Sequence, residues 1–174
     1  MSGHEDTWVG VPRRAKGLVR AGILLGVGAG GFFDGIVFHQ ILQWHHVVSA
    51  RVAPTTVAGL RANVLADGFF HAATYVFTFL GIALLWRAWR RPAVPRSSRA
   101  LVGSVVLGWG LFNVVEGLVN HHLLGLHHAW PAGPGPVALW DAVFLAWGAL
   151  FVMAGYVAVR RDDALSPAPA QQEQ

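Results

Sequence analysis

The stretch Asp34-Gly-Ile-Val-Phe-His-Gln-Ile-Leu-Gln-Trp-His-His46 occurs twice in this sequence. Its second copy, Glu116-Gly-Leu-Val-Asn-His-His-Leu-Leu-Gly-Leu-His-His128, follows 82 residues later and aligns without a gap. The carboxylates Asp34 and Glu116 coincide, and three histidine positions coincide as His39 with His121, His45 with His127 and His46 with His128. Both copies lie in apolar segments, where ionisable side chains are costly and usually functional. The duplication therefore predicts a pseudo-symmetric ion site.

The composition places the chain among integral membrane proteins. Hydrophobic residues make up 54% of it and charged residues 13%, and the mean hydropathy is +0.46, values outside the range of an ordinary soluble domain. Four stretches can each supply the roughly 20 apolar residues that span a bilayer: residues 18–48, 62–89, 100–124 and 137–159. We therefore predict an all-α, polytopic membrane protein, a four-transmembrane-helix bundle built from two hairpin repeats.

Three regions follow from this pattern. Residues 1–17 are predicted to be a cytoplasmic N-terminal segment, residues 18–161 the four-helix transmembrane domain, and residues 162–174 a polar, proline-rich, disordered tail. The basic residues before the first apolar run also resemble those of a secretory signal. Cleavage near Ala29 is disfavoured because the apolar run continues through Asp34 into the first copy of the duplicated stretch.

The basic residues predict the orientation in the membrane. Eleven of them flank the predicted spans on one side: Arg13, Arg14, Lys16, Arg20, Arg87, Arg90, Arg91, Arg96, Arg99, Arg160 and Arg161. Only Arg51 and Arg61 lie on the other side. Because arginine and lysine accumulate in cytoplasmic loops, both termini and the middle loop are predicted to be cytoplasmic. Arginines beside lipid headgroups account for the pI near 10.7 without a nucleic-acid partner.

Each copy is followed by a helix that carries an aspartate, Asp67 in the first half and Asp141 in the second. Two hairpins that begin on the same side are parallel repeats, related by an axis along the membrane normal. The second half has no counterpart of His71, which falls opposite Leu145. The predicted site is therefore symmetric in outline and asymmetric in detail.

A rise of about 1.5 Å per helical residue, counted from the cytoplasmic arginines, gives the depth of each ionisable group in the bilayer. Seven groups then fall in one layer in the outer half of the bilayer: Asp34, His39, Asp67, His71, Glu116, His121 and Asp141. The pairs His45/His46 and His127/His128 come higher, where they would form an outer capture or second site. In an ideal α-helix, however, Asp34 lies about 140° round from His39, at about 100° per residue, which weakens the cluster.

Imidazole and carboxylate groups are the ligands expected for Zn²⁺, Cu²⁺ or iron. The chain has no cysteine, which excludes a thiolate site and covalent haem attachment through a Cys-x-x-Cys-His motif. The predicted direct ligands are His39, His71 and His121, with Asp67, Glu116 and Asp141 as further ligands or as orienting groups. The full set of candidate ligands is Asp34, His39, His45, His46, Asp67, His71, Glu116, His121, His122, His127, His128 and Asp141.

The leading function is metal binding in the service of metal handling or redox chemistry. One alternative is a membrane metalloenzyme, a hydrolase or an oxidase, in which Glu116 is the general base beside an open metal position. Another is a protein that binds haem b non-covalently through two of the histidines. Any single one of these polar residues could instead hydrogen-bond between helices. The expected partners are the lipid bilayer and a metal ion, with a second copy of the chain or another membrane protein as further candidates.

Three motifs in residues 31–46, 66–72 and 113–128 also resemble those of a known family. They are Gly-Phe-Phe-Asp-Gly-Ile-Val-Phe-His-Gln-Ile-Leu-Gln-Trp-His-His, Ala-Asp-Gly-Phe-Phe-His-Ala and Asn-x-x-Glu-Gly-x-x-Asn-His-His-x-Leu-x-x-His-His. The chain resembles a family of bacterial predicted integral membrane proteins of unknown function over its four-helix region. The resemblance implies a bacterial inner-membrane location and a shared polar centre, and it implies no activity.

Overall fold

The computed structural model describes residues 11–165, and the regular elements in that range are helices. Helix α1 is Lys16–Phe33, α2 is Val57–Trp89, α3 is Ser98–Glu116 and α4 is Val137–Arg160. Two π-helical segments continue α1 and α3 without a break; the first is Asp34–Ile41 and the second is Gly117–Leu123. Single 3₁₀ turns at Arg13–Ala15 and Asp163–Leu165 flank the bundle.

Within residues 11–165, four helical stretches are long and apolar enough to cross a membrane: Arg13–Ile41, Val57–Trp89, Ser98–Leu123 and Val137–Arg160. The predicted all-α, four-span architecture is confirmed. The bounds of the first two spans differ from those predicted. The first helix ends at Ile41 instead of residue 48, because the backbone turns at Gln43, whose φ is +51°. The second begins at Val57, earlier than residue 62, because Thr56 caps it by accepting a hydrogen bond from the Gly59 N–H at 3.0 Å.

Helices α1 and α3 form the centre of the bundle. They pack against each other, α2 packs on α1, and α4 packs on α3. The most apolar stretches of the two central spans are 44% and 39% buried, and those of the α2 and α4 spans are 11% and 22% buried. Helix α2 presents large apolar side chains outward along its length, Phe69 and Phe79 among them. In a membrane such a face lies against lipid, since apolar surface there needs no further cover.

Glycines allow α1 and α3 to cross closely. Gly26 and Gly108 meet at this crossing, and a Cβ on either would overlap a main-chain carbonyl of the other helix, that of Val105 or of Ile23 respectively. Small residues at helix contacts permit this approach in membranes. The close crossing brings the far ends of α1 and α3, where the two π-helical segments begin, next to each other.

The two ends of the bundle differ in chemistry. At the end where α1 and α3 begin, an apolar cluster that includes Leu18, Ala88, Ala100 and Val159 is buried. Six basic side chains line a groove of about 580 Å³ at this end: Arg13, Arg14, Lys16, Arg20, Arg87 and Arg91. We call it the arginine end. At the opposite end, Trp44 stacks on Trp130 with ring centroids 4.3 Å apart.

The start of the C-terminal tail is ordered, which differs from the disorder predicted from residue 162. Asp162 is buried and accepts a hydrogen bond from the Ser97 hydroxyl, and it also accepts one from the Ala164 N–H at 3.0 Å. Leu165 is buried in the apolar cluster of the arginine end. A carboxylate that binds Ser97, the residue that caps α3, and a buried leucine explain the order. The rest of the predicted tail and residues 1–10 lie outside the described residues.

Candidate metal centre

The two π-helical segments bring each carboxylate onto the same helix face as its histidine. In a π-helix the N–H of a residue bonds to the carbonyl five positions back, so residues i and i+5 lie closer to one face than they do in an α-helix. Asp34 and His39 have this separation, and so do Glu116 and His121. The 140° mismatch of an ideal α-helix is therefore much reduced in both halves, and each histidine reaches its carboxylate. π-Helical turns are frequent at functional sites.

In the first half, His39 lies between two aspartates. Its Nε2 is 3.0 Å from Asp34 Oδ2, and its Nδ1 is 3.0 Å from Asp67 Oδ1. All three residues are buried, and His39 has no measurable exposure. Helix α2 thus supplies the carboxylate that orients a histidine of the first π-helical segment.

The second half has the same arrangement. His121 Nε2 is 3.3 Å from Glu116 Oε1, and His121 Nδ1 is 3.2 Å from Asp141 Oδ1. These three residues are also buried. Helix α4 supplies the second carboxylate of this half, as α2 does in the first half.

Each outer aspartate also holds a second histidine and a main-chain amide. Asp67 accepts hydrogen bonds from His46 Nδ1 at 2.7 Å and from the Val47 N–H at 3.0 Å. Asp141 accepts from His128 Nδ1 at 2.7 Å and from the Ala129 N–H at 2.9 Å. These bonds pull the chain that follows each π-helical segment back over the end of the bundle.

His45 and His127 each form a hydrogen bond with the other half of the chain. His45 Nδ1 is 2.8 Å from the carbonyl oxygen of Ala129, and His127 Nδ1 is 3.0 Å from that of Val47. A carbonyl oxygen only accepts hydrogen bonds, so each Nδ1 carries a proton and each Nε2 is the nitrogen that faces the interior of the bundle. Burial lowers the pKa of His45 well below its ordinary value of 6.5, and the neighbouring His127 acts in the same direction.

The remaining atoms that could bind a metal, carboxylate oxygens and imidazole Nε2 atoms, converge inside the bundle. Glu116 Oε1 is 2.8 Å from His127 Nε2, and Asp34 Oδ1 is 3.9 Å from His45 Nε2. Several buried atoms here lie near an oppositely charged group or a ring nitrogen but have no partner with hydrogen-bond geometry among the described residues: both Asp34 oxygens, Glu116 Oε2, Nε2 of His39 and His45, and both ring nitrogens of His121. Two groups of side chains bring three ligand atoms within 4.8 Å of one another, His39 with His45 and His127, and Glu116 with His121 and His127. We call these six residues, Asp34, His39, His45, Glu116, His121 and His127, the inner cluster.

A pocket leads to the inner cluster from the end of the bundle opposite the arginine end. It has a volume of about 540 Å³, and His45, His46 and His128 line it. The side chain of His46 is 14% exposed and that of His128 is 38% exposed, whereas His45 and His127 are 1% exposed. The histidine pairs therefore divide by depth, with one member inside and one at the mouth.

The comparison with known proteins covers this whole region. A family described as predicted membrane protein (DUF2243) matches residues 21–162. The chain belongs to this family. No curated protein and no solved structure matches it. The match includes the inner cluster and both outer aspartates, so the site lies within the part of the chain that defines DUF2243.

The predicted separate outer site differs from the structure for two residues. The sequence places His45 and His127 above the layer of His39 and His121, and the structure instead packs them against these two rings, with ring centroids 4.7 and 4.8 Å apart. The count assumed a continuous helix, but the helices end at Ile41 and Leu123 and the chain folds back.

Two other predicted ligands lie apart from the inner cluster. His71 stacks on Phe32, with ring centroids 6.2 Å apart, and packs beside Gly35. His122 Nδ1 donates a hydrogen bond to the Gly117 carbonyl of its own helix at 2.8 Å. The main-chain groups of Val47 and Ala129 were missed, although both directly follow the His-His pairs in the sequence.

Proposed function

We propose that this DUF2243 protein binds a transition metal through the inner cluster, in the service of metal handling or redox chemistry. The observation that carries the proposal is the orientation of the four inner histidines. Each Nδ1 faces an oxygen acceptor of Asp67, Asp141, Val47 or Ala129 within 3.2 Å. Each Nε2 faces Asp34 or Glu116. Metal-bound histidines are oriented in this way, since an acceptor at the second nitrogen fixes the tautomer.

The balance of charge supports a bound cation. Asp34, Asp67, Glu116 and Asp141 are buried together, and their ion pairs within residues 11–165 are with histidines. Buried carboxylates need a compensating positive charge. In the metal-free protein, protons on histidine supply it. A divalent cation supplies it without protonating the rings.

The ligand types restrict the metal. Imidazole and carboxylate without thiolate favour Zn²⁺, Cu²⁺ or iron, and the chain has no cysteine. Direct metal binding is favoured over haem b because the rings of His45 and His127 stack 4.5 Å apart. Two histidines that ligate one haem must instead lie on opposite faces of the porphyrin.

We further propose that the chain lies in a bacterial inner membrane with both termini in the cytoplasm and the inner cluster toward the outer face. The support is the groove with six basic side chains at the arginine end, because basic residues accumulate on the cytoplasmic side. Reporter fusions at Gln174 and near Pro134 should report opposite sides of the membrane. The same side for both would refute this orientation.

The test of metal binding is elemental analysis of protein extracted in mild detergent, together with its visible spectrum. We expect stoichiometric Zn, Cu or Fe in the wild type, and a large loss of it in His121→Ala. His122→Ala is the matched control, since His122 is the next residue and bonds to its own helix. A strong Soret band would replace the proposal with haem binding. Metal-free wild-type protein that also fails to take up added metal would refute it.

A further inference from the structure

We infer that the inner cluster takes two metal ions, one in each half of the chain. The inference rests on the metal binding proposed above and adds to it the number of ions and the ligands of each. Asp34, His39 and His45 would hold the first ion. Glu116, His121 and His127 would hold the second.

The carboxylate of each half lies between two imidazole nitrogens. Asp34 is 3.0 Å from His39 Nε2 and 3.9 Å from His45 Nε2. Glu116 is 3.3 Å from His121 Nε2 and 2.8 Å from His127 Nε2. Each half thus offers one carboxylate and two imidazoles. Three protein ligands with an open position are a complete set for a catalytic type of zinc site.

The nitrogen of His127 decides how the donors divide. A ring nitrogen of His127 comes within 4.8 Å of possible ligand atoms in both halves, those of His39 and His45 on one side and those of Glu116 and His121 on the other. A neutral imidazole binds one ion through its single lone pair. His127 Nε2 lies 2.8 Å from Glu116 Oε1. We therefore assign His127 to the second ion. Asp34 then completes the ligands of the first ion.

The two ions would lie close together. The rings of His45 and His127 stack with centroids 4.5 Å apart and planes at 7°, so the two ligand sets touch along this pair. Protein sites with two metals have ions about 3.5–4 Å apart, which share a bridging oxygen or substrate.

Charge favours two ions over one. The two inner carboxylates and the two outer aspartates carry four negative charges when ionised, and the four inner histidines are neutral as metal ligands. Two divalent cations balance this charge without any protonated histidine, whereas one cation leaves two negative charges that only protons on His46 and His128, the other partners of the outer aspartates, could compensate. The outer aspartates then act on His39 and His121 as orienting acceptors.

The experiment is a titration of metal-free protein in detergent with Co²⁺, followed by its visible d–d absorption and by elemental analysis after gel filtration. We expect two Co²⁺ per chain in the wild type and one in each half-site double variant, Asp34→Asn with His39→Ala or Glu116→Gln with His121→Ala. His122→Ala should keep two. Loading with Cu²⁺ should give a spin-coupled EPR signal in the wild type and an isolated Cu²⁺ signal in either half-site variant.

One Co²⁺ per wild-type chain would overturn the two-ion inference and leave the proposed metal binding intact. No bound Co²⁺ or Cu²⁺ would refute both. The wild-type count and its EPR spectrum decide the inference even if a double variant fails to fold. An isolated Cu²⁺ signal in wild type that holds two ions would also overturn it, because it would place the second ion elsewhere.

Discussion

His45 and His127 stack at the centre of the bundle, and each donates a hydrogen bond from Nδ1 to a carbonyl that follows the His-His pair of the other half. Each half orients its own His39 or His121 through Asp67 or Asp141, but the acceptor for His45 or His127 comes from the other half. The consequence is that the site forms only when both halves are packed together. Ordering of the chain after the two π-helical segments and formation of the proposed metal site would therefore be one event.

The outer aspartates should control metal affinity without being ligands. Asp67→Asn or Asp141→Asn leaves a side chain of the same shape that bonds His39 or His121 less strongly. We expect each substitution to weaken metal binding about 10- to 100-fold, the usual effect of removing an orienting group, with the number of ions unchanged. Competition with a coloured chelator measures the affinity. Loss of one ion per chain would instead identify the substituted aspartate as a direct ligand.

His71→Leu should leave the metal content unchanged. The substitution copies Leu145, which packs beside Gly117 as His71 packs beside Gly35. His71 therefore occupies the position of an apolar residue of the second half. Leu145→Ala is the companion variant and should also retain metal. A folded His71→Leu protein with less metal would return His71 to the ligand set predicted from sequence.

The sequence predicts well which residues of the two halves correspond. It predicts the local backbone geometry poorly. Asp34 and Glu116 correspond because the duplicated stretches have identical spacing, which is visible in the sequence alone. Asp67 and Asp141 are recognisable as candidate site residues because charged side chains are rare in apolar helices. The π-helical turns have no distinct residue signal here. Without them, a count at 100° per residue separates Asp34 from His39.

The fold-back of the chain after each π-helical segment could not be read from hydropathy either. The apolar run continues past Ile41 through Val48, so the first span appeared longer than it is. The residue that ends it is Gln43, in the left-handed conformation at φ +51°, where the second half has Gly125 at φ +53°. Glycine adopts this conformation easily and glutamine does not. The turn was therefore marked in only one of the two copies.

The close crossing of α1 and α3 should be required for the protein to fold and for the site to form. Gly108→Val places a branched side chain against the main chain of α1, and we expect it to destabilise the protein by at least about 2 kcal/mol, as overpacking does. Gly68→Ala is the control, since a Cβ there meets open space and should change stability by less than about 1 kcal/mol. Thermal unfolding in detergent, followed by circular dichroism, compares them. Equal stability of both variants would contradict the close crossing.

Metal binding should release protons and weaken steeply below about pH 6. A ligand imidazole must be unprotonated, and its ordinary pKa is near 6.5. The lowered pKa of His45 keeps this ring neutral at pH 6.5. The stability it contributes to the folded apo protein is therefore complete above pH 6.5 and is lost as the pH falls through the lowered value. Calorimetry in buffers of different ionisation enthalpy counts the protons. Affinity independent of pH between 5 and 8 would contradict histidine ligation.

Anomalous diffraction from crystals of metal-loaded protein, recorded on both sides of the metal absorption edge, tests the central claim most directly. We expect peaks inside the inner cluster, one bounded by Asp34, His39 and His45 and one by Glu116, His121 and His127. Peaks only at His46 and His128 in the outer pocket, or no peak within the bundle, would contradict it.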